Sequence, residues 1–251
     1  MNQYTILQVP FHTPTRETAL ERLLGFLTTE HNHLVVTPNP EAVMLAQHDS
    51  AFLLALQQAD LVLPDAIGIL IAAKWLRIPM PTRVPGCDIT LALLEAASAR
   101  TSGTTAFILG AAPGVAQTAA QNLQASFSGL RILGTRDGYF DADGEIIVLD
   151  EIKRLKPDIL LVGMGMPRQE LWATQFLHSL PCKITLCIGG SIDVMAGTVK
   201  RAPRFMQQVG LEWLYRLVTQ PSRAKRMLVL PLFLLEIFRK GRPSKNKTYV
   251  R

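Results

Sequence analysis

Short apolar runs alternate with helical patterns through most of this chain, and that alternation constrains its fold more than any other feature. The runs at residues 5–9, 33–37, 60–63, 104–109, 130–134, 158–162 and 183–188 have the length of strands. Several are continuously apolar, the pattern of strands covered on both faces. Between them, residues 15–29, 41–56, 67–76, 89–100, 114–126, 145–155 and 167–178 carry helical periodicity. Strand and helix in turn predict an α/β fold, a mostly parallel sheet wrapped by helices. Hydrophobic residues make up 48% of the 251, enough to bury the core such a sheet needs.

The formal net charge of +6 conceals an asymmetry. Residues 200–251 hold 13 Lys and Arg against 2 Asp and Glu, whereas residues 1–199 hold 13 against 18. A mildly acidic body, residues 1–199, thus precedes a strongly basic appendage, residues 200–251. That balance points to an anionic partner: lipid headgroups, a diphosphate or nucleic acid. Residues 201–220 read as an amphipathic helix, with Phe205, Val209, Trp213 and Leu217 repeating at fours before Pro221 ends it. About twelve mainly apolar residues then lie between two basic clusters. The run is shorter than the ~20 residues that span a bilayer. It suits a helix lying in the membrane interface, with Lys and Arg at headgroup level. The alternative is a terminal helix packed on the core or on another subunit. The N-terminus has no basic segment followed by a long apolar run, so no leader is expected. Cys87, Cys182 and Cys187 are spread out and form no C-x-x-C, which favours a reducing compartment over a disulfide framework or a zinc site.

In parallel sheets, ligands bind at the carboxyl ends of the strands, and the segments found there carry the candidates for chemistry. Asp65 follows the strand ADLVLP and precedes a helix. It can act as a general base toward a sugar hydroxyl, or simply cap the helix that follows. Thr37 and Asn39 follow HLVV. Asn39 can hydrogen-bond sugar hydroxyls and Thr37 can orient a substrate group, while Asn39-Pro40-Glu41 is equally a good helix start. Arg83, in RVPGCD, can grip phosphate with two donors, although a lone arginine is more often a surface residue.

Three glycine-bearing turns, LGAAPGVA, GMGMPRQE and IGGSIDVMAG, supply Gly110, Gly114, Gly163, Gly165 and Gly190. Glycine lets backbone approach a ligand, and helix N-termini favour phosphate. One such turn is consistent with tight packing alone; three on one sheet edge favour a nucleotide crevice. In the same turns Gln169 can donate hydrogen bonds, Arg168 can meet charge, and Asp193 can bind a ribose or a base edge. None of the three is G-x-G-x-x-G or G-K-[ST], so dinucleotide and ATP binding lack support. Asp141 and Asp143 form a D-x-D, but FDADGE reads as a turn before a helix. The five histidines are scattered, and neither metal nor other cofactor is expected.

Taken in order, TPNPEAV, LPDAIG, RVPGCD, LGAAPGVA, GYF, VGMGMPRQELW, GGSIDVMAGTVKRAP and GLEWLYRL with its following QPSR resemble the WecG/TagA/CpsF family of bacterial glycosyltransferases. The resemblance runs from about residue 35 to residue 226, and the ordered set is far more specific than any single motif. It implies a Rossmann-like body and an inverting, UDP-sugar-dependent transferase. The donor would most often be UDP-N-acetylmannosamine, and the acceptor an undecaprenyl-diphosphate-linked N-acetylglucosamine in teichoic acid or surface polysaccharide synthesis. Related members transfer a mannosaminuronic acid or glucose. By motif, Asp65 matches the general base and Thr37 the residue that assists it. Asn39, Arg83, Gln169 and Tyr139 match the pocket, and Arg216, Arg223 and Arg226 match appendage arginines that reach the diphosphate. Two departures stand out, Ala66 where the motif usually has glycine and Gln220-Pro221 where it has Glu-Pro. Neither removes a proposed catalytic group. The implied place of action is the cytoplasmic side, peripherally at the inner face of the cell membrane. An appendage that moves would leave an apolar patch through which copies can form a homo-oligomer.

Two rivals from other classes are an anion-binding protein that grips nucleic acid with its basic tail, and a nicotinamide-dependent oxidoreductase. The apolar core of the tail and the acidity of the body weigh against the first. The missing dinucleotide fingerprint weighs against the second.

Overall fold

A computed structural model describes residues 1–100, 103–203, 205–206, 214–215 and 229–240. Its centre is a six-stranded, all-parallel sheet in the order β4-β3-β8-β7-β5-β6. The strands are β3 (His33–Val36), β4 (Leu61–Val62), β5 (Thr104–Gly110), β6 (Leu130–Arg136), β7 (Ile159–Gly163) and β8 (Ile184–Cys187).

Alternation along each strand builds two cores, because successive side chains point to opposite faces. Leu34, Val36, Phe107, Leu109, Leu160, Val162 and Cys187 enter one core. Val35, Ala106, Ile108, Ile159, Leu161, Ile184 and Leu186 enter the other. The first core is closed by α2 (Pro40–Leu45), α3 (Ser50–Gln58), α4 (Ile67–Trp75), α7 (Ala142–Leu155) and α8 (Arg168–Phe176). The second is closed by α1 (Arg16–Phe26), α5 (Gly86–Ser98), α6 (Val115–Ser126) and α9 (Ser191–Ala196). Both faces are therefore covered, which is why the central strands β3, β5, β7 and β8 are mostly apolar.

The first predicted strand is in fact a hairpin, β1 (Gln3–Ile6) and β2 (Val9–His12), turned at Leu7 and Gln8 with φ of 46° and 67°. The hairpin lies against the short edge strand β4, where His12 Nδ1 accepts from Val62 N at 3.1 Å. Burial holds His12 below its ordinary value, which preserves that acceptor. The single helix expected over 41–56 is two. It breaks after α2, and Asp49 accepts from Phe52 N at 2.9 Å to start α3. Within the third glycine-bearing turn, residues 191–196 form a short helix.

Of the basic appendage, the structure describes α10 (Val229–Lys240), the apolar run flanked by cations. Phe233 and Ile237 are buried against the body, where α10 packs on α2 and α4. Leu232, Leu235 and Phe238 remain exposed, and Phe238 meets Trp75 of α4 edge-on at 4.6 Å between ring centroids. Among the described residues, no helix is long and apolar enough to cross a membrane. The amphipathic segment expected over 201–220 lies largely outside the described residues. Cys87, Cys182 and Cys187 are buried, and none is in a disulfide among the described residues.

Candidate active site

Strand order arranges the loops along the carboxyl edge of the sheet. Asp65 follows β4, and Thr37 and Asn39 follow β3. Next come the turn at Gly189 and Gly190 after β8, that at Gly163 and Gly165 after β7, Gly110 after β5, and Tyr139 after β6. Residues scattered over 150 positions of sequence thus follow the strands along one edge of the sheet.

At its β3–β4 end three loops interlock. Val84 N donates to Pro64 O at 2.7 Å, which lays the stretch carrying Arg83 beside Asp65. Asp65 does not cap its own helix. The N-cap of α4 is Ala66, which makes no side-chain capping bond. Asp65 Oδ1 instead accepts from Gly86 N, the first residue of α5, at 3.2 Å. Thr37 packs on the same glycine: a methyl group on Gly86 would lie 2.8 Å from Thr37 Oγ1. Thr37 and Asp65 therefore converge on Gly86. Asn39 caps α2 by accepting from Ala42 N at 3.0 Å, so its side-chain oxygen already has a helix to hold. Arg83 is half-buried in the same corner.

The middle of this edge is built by backbone. A methyl group on Gly110 would lie 2.4 Å from the carbonyl carbon and oxygen of Gly163. One on Gly163 would lie 2.4 Å from Ile192 Cδ1 and 2.6 Å from Gly189 O. These two glycines let neighbouring strand ends touch. Nothing lies within 4 Å of a methyl group placed on Gly114 or Gly165, so those two turns face open space. Asp193 stands in the first turn of α9, half-buried, beside Gly190.

Gln169 is 5% exposed and spans two elements. Its Oε1 accepts from Gly189 N at 3.1 Å, and its Nε2 donates to Glu170 Oε1 at 2.7 Å. Burial pushes the Glu170 carboxyl up to about 7. The folded chain thus keeps this proton up to about pH 7, whereas an unfolded glutamate releases it near its ordinary 4.5. Between those values the native state binds more protons, so stability falls as pH rises through the window. The contribution is on the order of 3 kcal/mol, present in full below the lower value and lost above the upper. Thermal melts of the parent and of Glu170→Gln at pH 5 and pH 8 check this. The variant is expected to lose less stability between them.

At the β6 end, Tyr139 is 76% exposed, and Asp137 Oδ1 accepts from its backbone N–H. Arg168 does not await a charge. It donates to Gly138 O at 2.5 Å and Phe140 O at 3.2 Å, and lies over the Phe140 ring. It clips this loop to the start of α8. Asp141 accepts from Gly144 N as the N-cap of α7. Among the described residues, no group of three or more His, Cys, Asp and Glu comes together as a metal site. Arg216, Arg223 and Arg226 lie outside the described residues.

Two contributors escaped the sequence reading. Gly86 stands within a motif that had been noted for Arg83, and only the approach of Thr37 and Asp65 reveals its part. Glu170 looks, in sequence, like an acidic residue placed for the N-terminus of α8.

Comparison with known proteins bears on the whole arrangement. The profile of the "Glycosyl transferase WecG/TagA/CpsF family" matches residues 4–247. A protein of Bacillus spizizenii is 34% identical over 224 residues, covering 89% of this chain and 86% of its own. A protein of Bacillus subtilis, 29% identical over 98% of this chain and 95% of its own length, and one of Staphylococcus aureus, 31% identical over 96% of this chain and 94% of its own, are similar as well. All three bear the name N-acetylglucosaminyldiphosphoundecaprenol N-acetyl-beta-D-mannosaminyltransferase.

Proposed function

The chain belongs to the WecG/TagA/CpsF family of glycosyl transferases, and on that premise we propose that it moves N-acetylmannosamine from UDP-N-acetylmannosamine to undecaprenyl-diphosphate-linked N-acetylglucosamine. The observation that carries the reading is the convergence of Thr37 and Asp65 on Gly86 at one end of the crevice, with glycine turns and Gln169 adjoining. A carboxylate at the crevice edge supplies a base. Adjacent backbone turns and the N-termini of α6, α8 and α9 suit a sugar diphosphate.

In this mechanism Asp65 takes the proton of the acceptor hydroxyl as its oxygen attacks the anomeric carbon. The new C–O bond forms on the face opposite the bond to UDP, which breaks, so one displacement inverts the configuration. Backbone amides and arginines receive the charge that develops on the leaving diphosphate. Thr37 steadies the acceptor beside Asp65. Asn39, Arg83, Asp193, Tyr139 and the turns of Gly110, Gly114, Gly163, Gly165 and Gly190 line the pocket. The basic appendage, with Arg216, Arg223 and Arg226, meets the lipid-linked diphosphate at the inner membrane face. Support for membrane contact comes from α10, which buries one side on the body and leaves Leu232, Leu235 and Phe238 exposed above Arg239 and Lys240.

The test is incubation with a panel of UDP-sugars and a lipid-diphosphate N-acetylglucosamine acceptor, with and without EDTA. UDP release and a heavier lipid from UDP-N-acetylmannosamine are expected, unaffected by EDTA. Transfer from another donor keeps the family and changes the sugar; no transfer from any donor sinks the proposal.

Gly86→Ala probes the corner directly. Its methyl group would press on Thr37 Oγ1 at 2.8 Å and Cγ2 at 3.3 Å. Overpacking of this kind costs about 1–3 kcal/mol. Displacing a positioned group lowers turnover by roughly tenfold to a hundredfold. Paired melting curves and kcat measurements separate the two effects.

A further inference from the structure

We infer that Glu170 is a positioning residue for the donor site, fixing the Gln169 amide so that its carbonyl holds the Gly189 N–H. The inference rests on the proposed function, and takes Gln169, a pocket residue by motif, and the turn before Gly190 as contacts of the UDP-sugar donor.

An amide can present either end to a neighbour, and the end is set by what it meets. The Gly189 N–H requires an acceptor, so Gln169 must offer Oε1. Glu170 Oε1, at 2.7 Å, accepts from Nε2 and favours that orientation whether or not the carboxyl holds its proton. Gln169 is tied down a second time, since the Cys187 thiol donates to its backbone carbonyl at 3.7 Å. The turn it holds is in close quarters, with Gly189 O 2.6 Å from where a methyl group on Gly163 would lie. A flipped amide would set Nε2 against the Gly189 N–H and push the turn out of place.

Glu170 is a poor choice for stability alone. It is 6% exposed, and its Oε2 is buried without a hydrogen-bond partner among the described residues. A buried carboxyl with an orphaned oxygen costs folding free energy that an apolar side chain would not. The bond it makes from its other oxygen goes to the site residue beside it.

The test compares Glu170→Leu, Glu170→Gln and Gln169→Leu in the transfer assay and in thermal melts at pH 8. Glu170→Leu removes the acceptor, so KM for the UDP-sugar should rise about tenfold while kcat moves less than about threefold. Glu170→Gln keeps an acceptor oxygen, and its KM should stay within about threefold of the parent. Both should melt at or above the parent temperature. An unchanged KM in Glu170→Leu, equal damage in Glu170→Gln, or failure of Glu170→Leu to fold would each overturn the inference. An unchanged KM in Gln169→Leu would instead overturn Gln169 as a donor contact, and absence of transfer by the parent would overturn the proposed function itself.

Discussion

Asp65→Asn is expected to transfer sugar about a hundredfold to ten-thousandfold more slowly than the parent chain, the usual loss when a positioned general base is removed. It should do so without unfolding, because Asn retains an oxygen for the first residue of α5. Asp65 Oδ1 accepts from Gly86 N at 3.2 Å, and an amide oxygen accepts equally well. What the amide cannot do is take a proton from the acceptor hydroxyl. Donor KM should therefore hold while kcat falls, the pattern of an interaction made only in the transition state. Asp65→Ala provides the contrast. It loses the base and also leaves the Gly86 N–H without this acceptor, which adds about 1 kcal/mol of instability. UDP release at saturating acceptor, with melting curves for both variants, decides the matter. Normal turnover by Asp65→Asn would remove Asp65 from the role of base.

The sheet was legible because parallel strands buried on both faces must be apolar throughout, and residues 104–109 and 158–162 are nearly so. The hairpin was not, because Leu7 and Gln8 take positive φ without the Gly or Asn that announces such a turn. The break between α2 and α3 was hidden for a related reason. Ala46 to His48 contain no helix breaker, and Asp49 alone marks the new start. Thr37, Asn39 and Asp65 were legible as candidates since each follows a strand. Sequence left Asp65 open between base and helix cap. In the structure Ala66 is the N-cap of α4, and Asp65 accepts from the first N–H of α5, a contact 21 residues distant. No local pattern encodes it, because it depends on how two loops cross. Glu170 was hidden for the same reason, since its burial comes from packing of α8 on the sheet and α3.

Gly110→Ala is expected to destabilise the chain by about 3 kcal/mol or more, lowering the melting temperature by roughly 6–12 °C for a domain of this size. Two costs combine. Gly110 has φ of 139°, which a side chain rarely tolerates, and its methyl group would lie 2.4 Å from the Gly163 backbone. That backbone has no room to retreat. Gly163 pairs with Gly110 across β5 and β7, its carbonyl accepts from Ala111 N at 3.0 Å, and its far side meets Ile192 and Gly189. Gly165→Ala separates the two costs. It too has positive φ, at 79°, but a methyl group there meets nothing within 4 Å. Only the conformational penalty of roughly 1–2 kcal/mol should appear. If the two variants melt alike, Gly110 is present for its backbone angle and the contact between strand ends is not what requires it. If Gly110→Ala is much the weaker, the glycine at the end of β5 serves packing first, and the crevice inherits its shape from the way β5, β7 and β8 are allowed to touch.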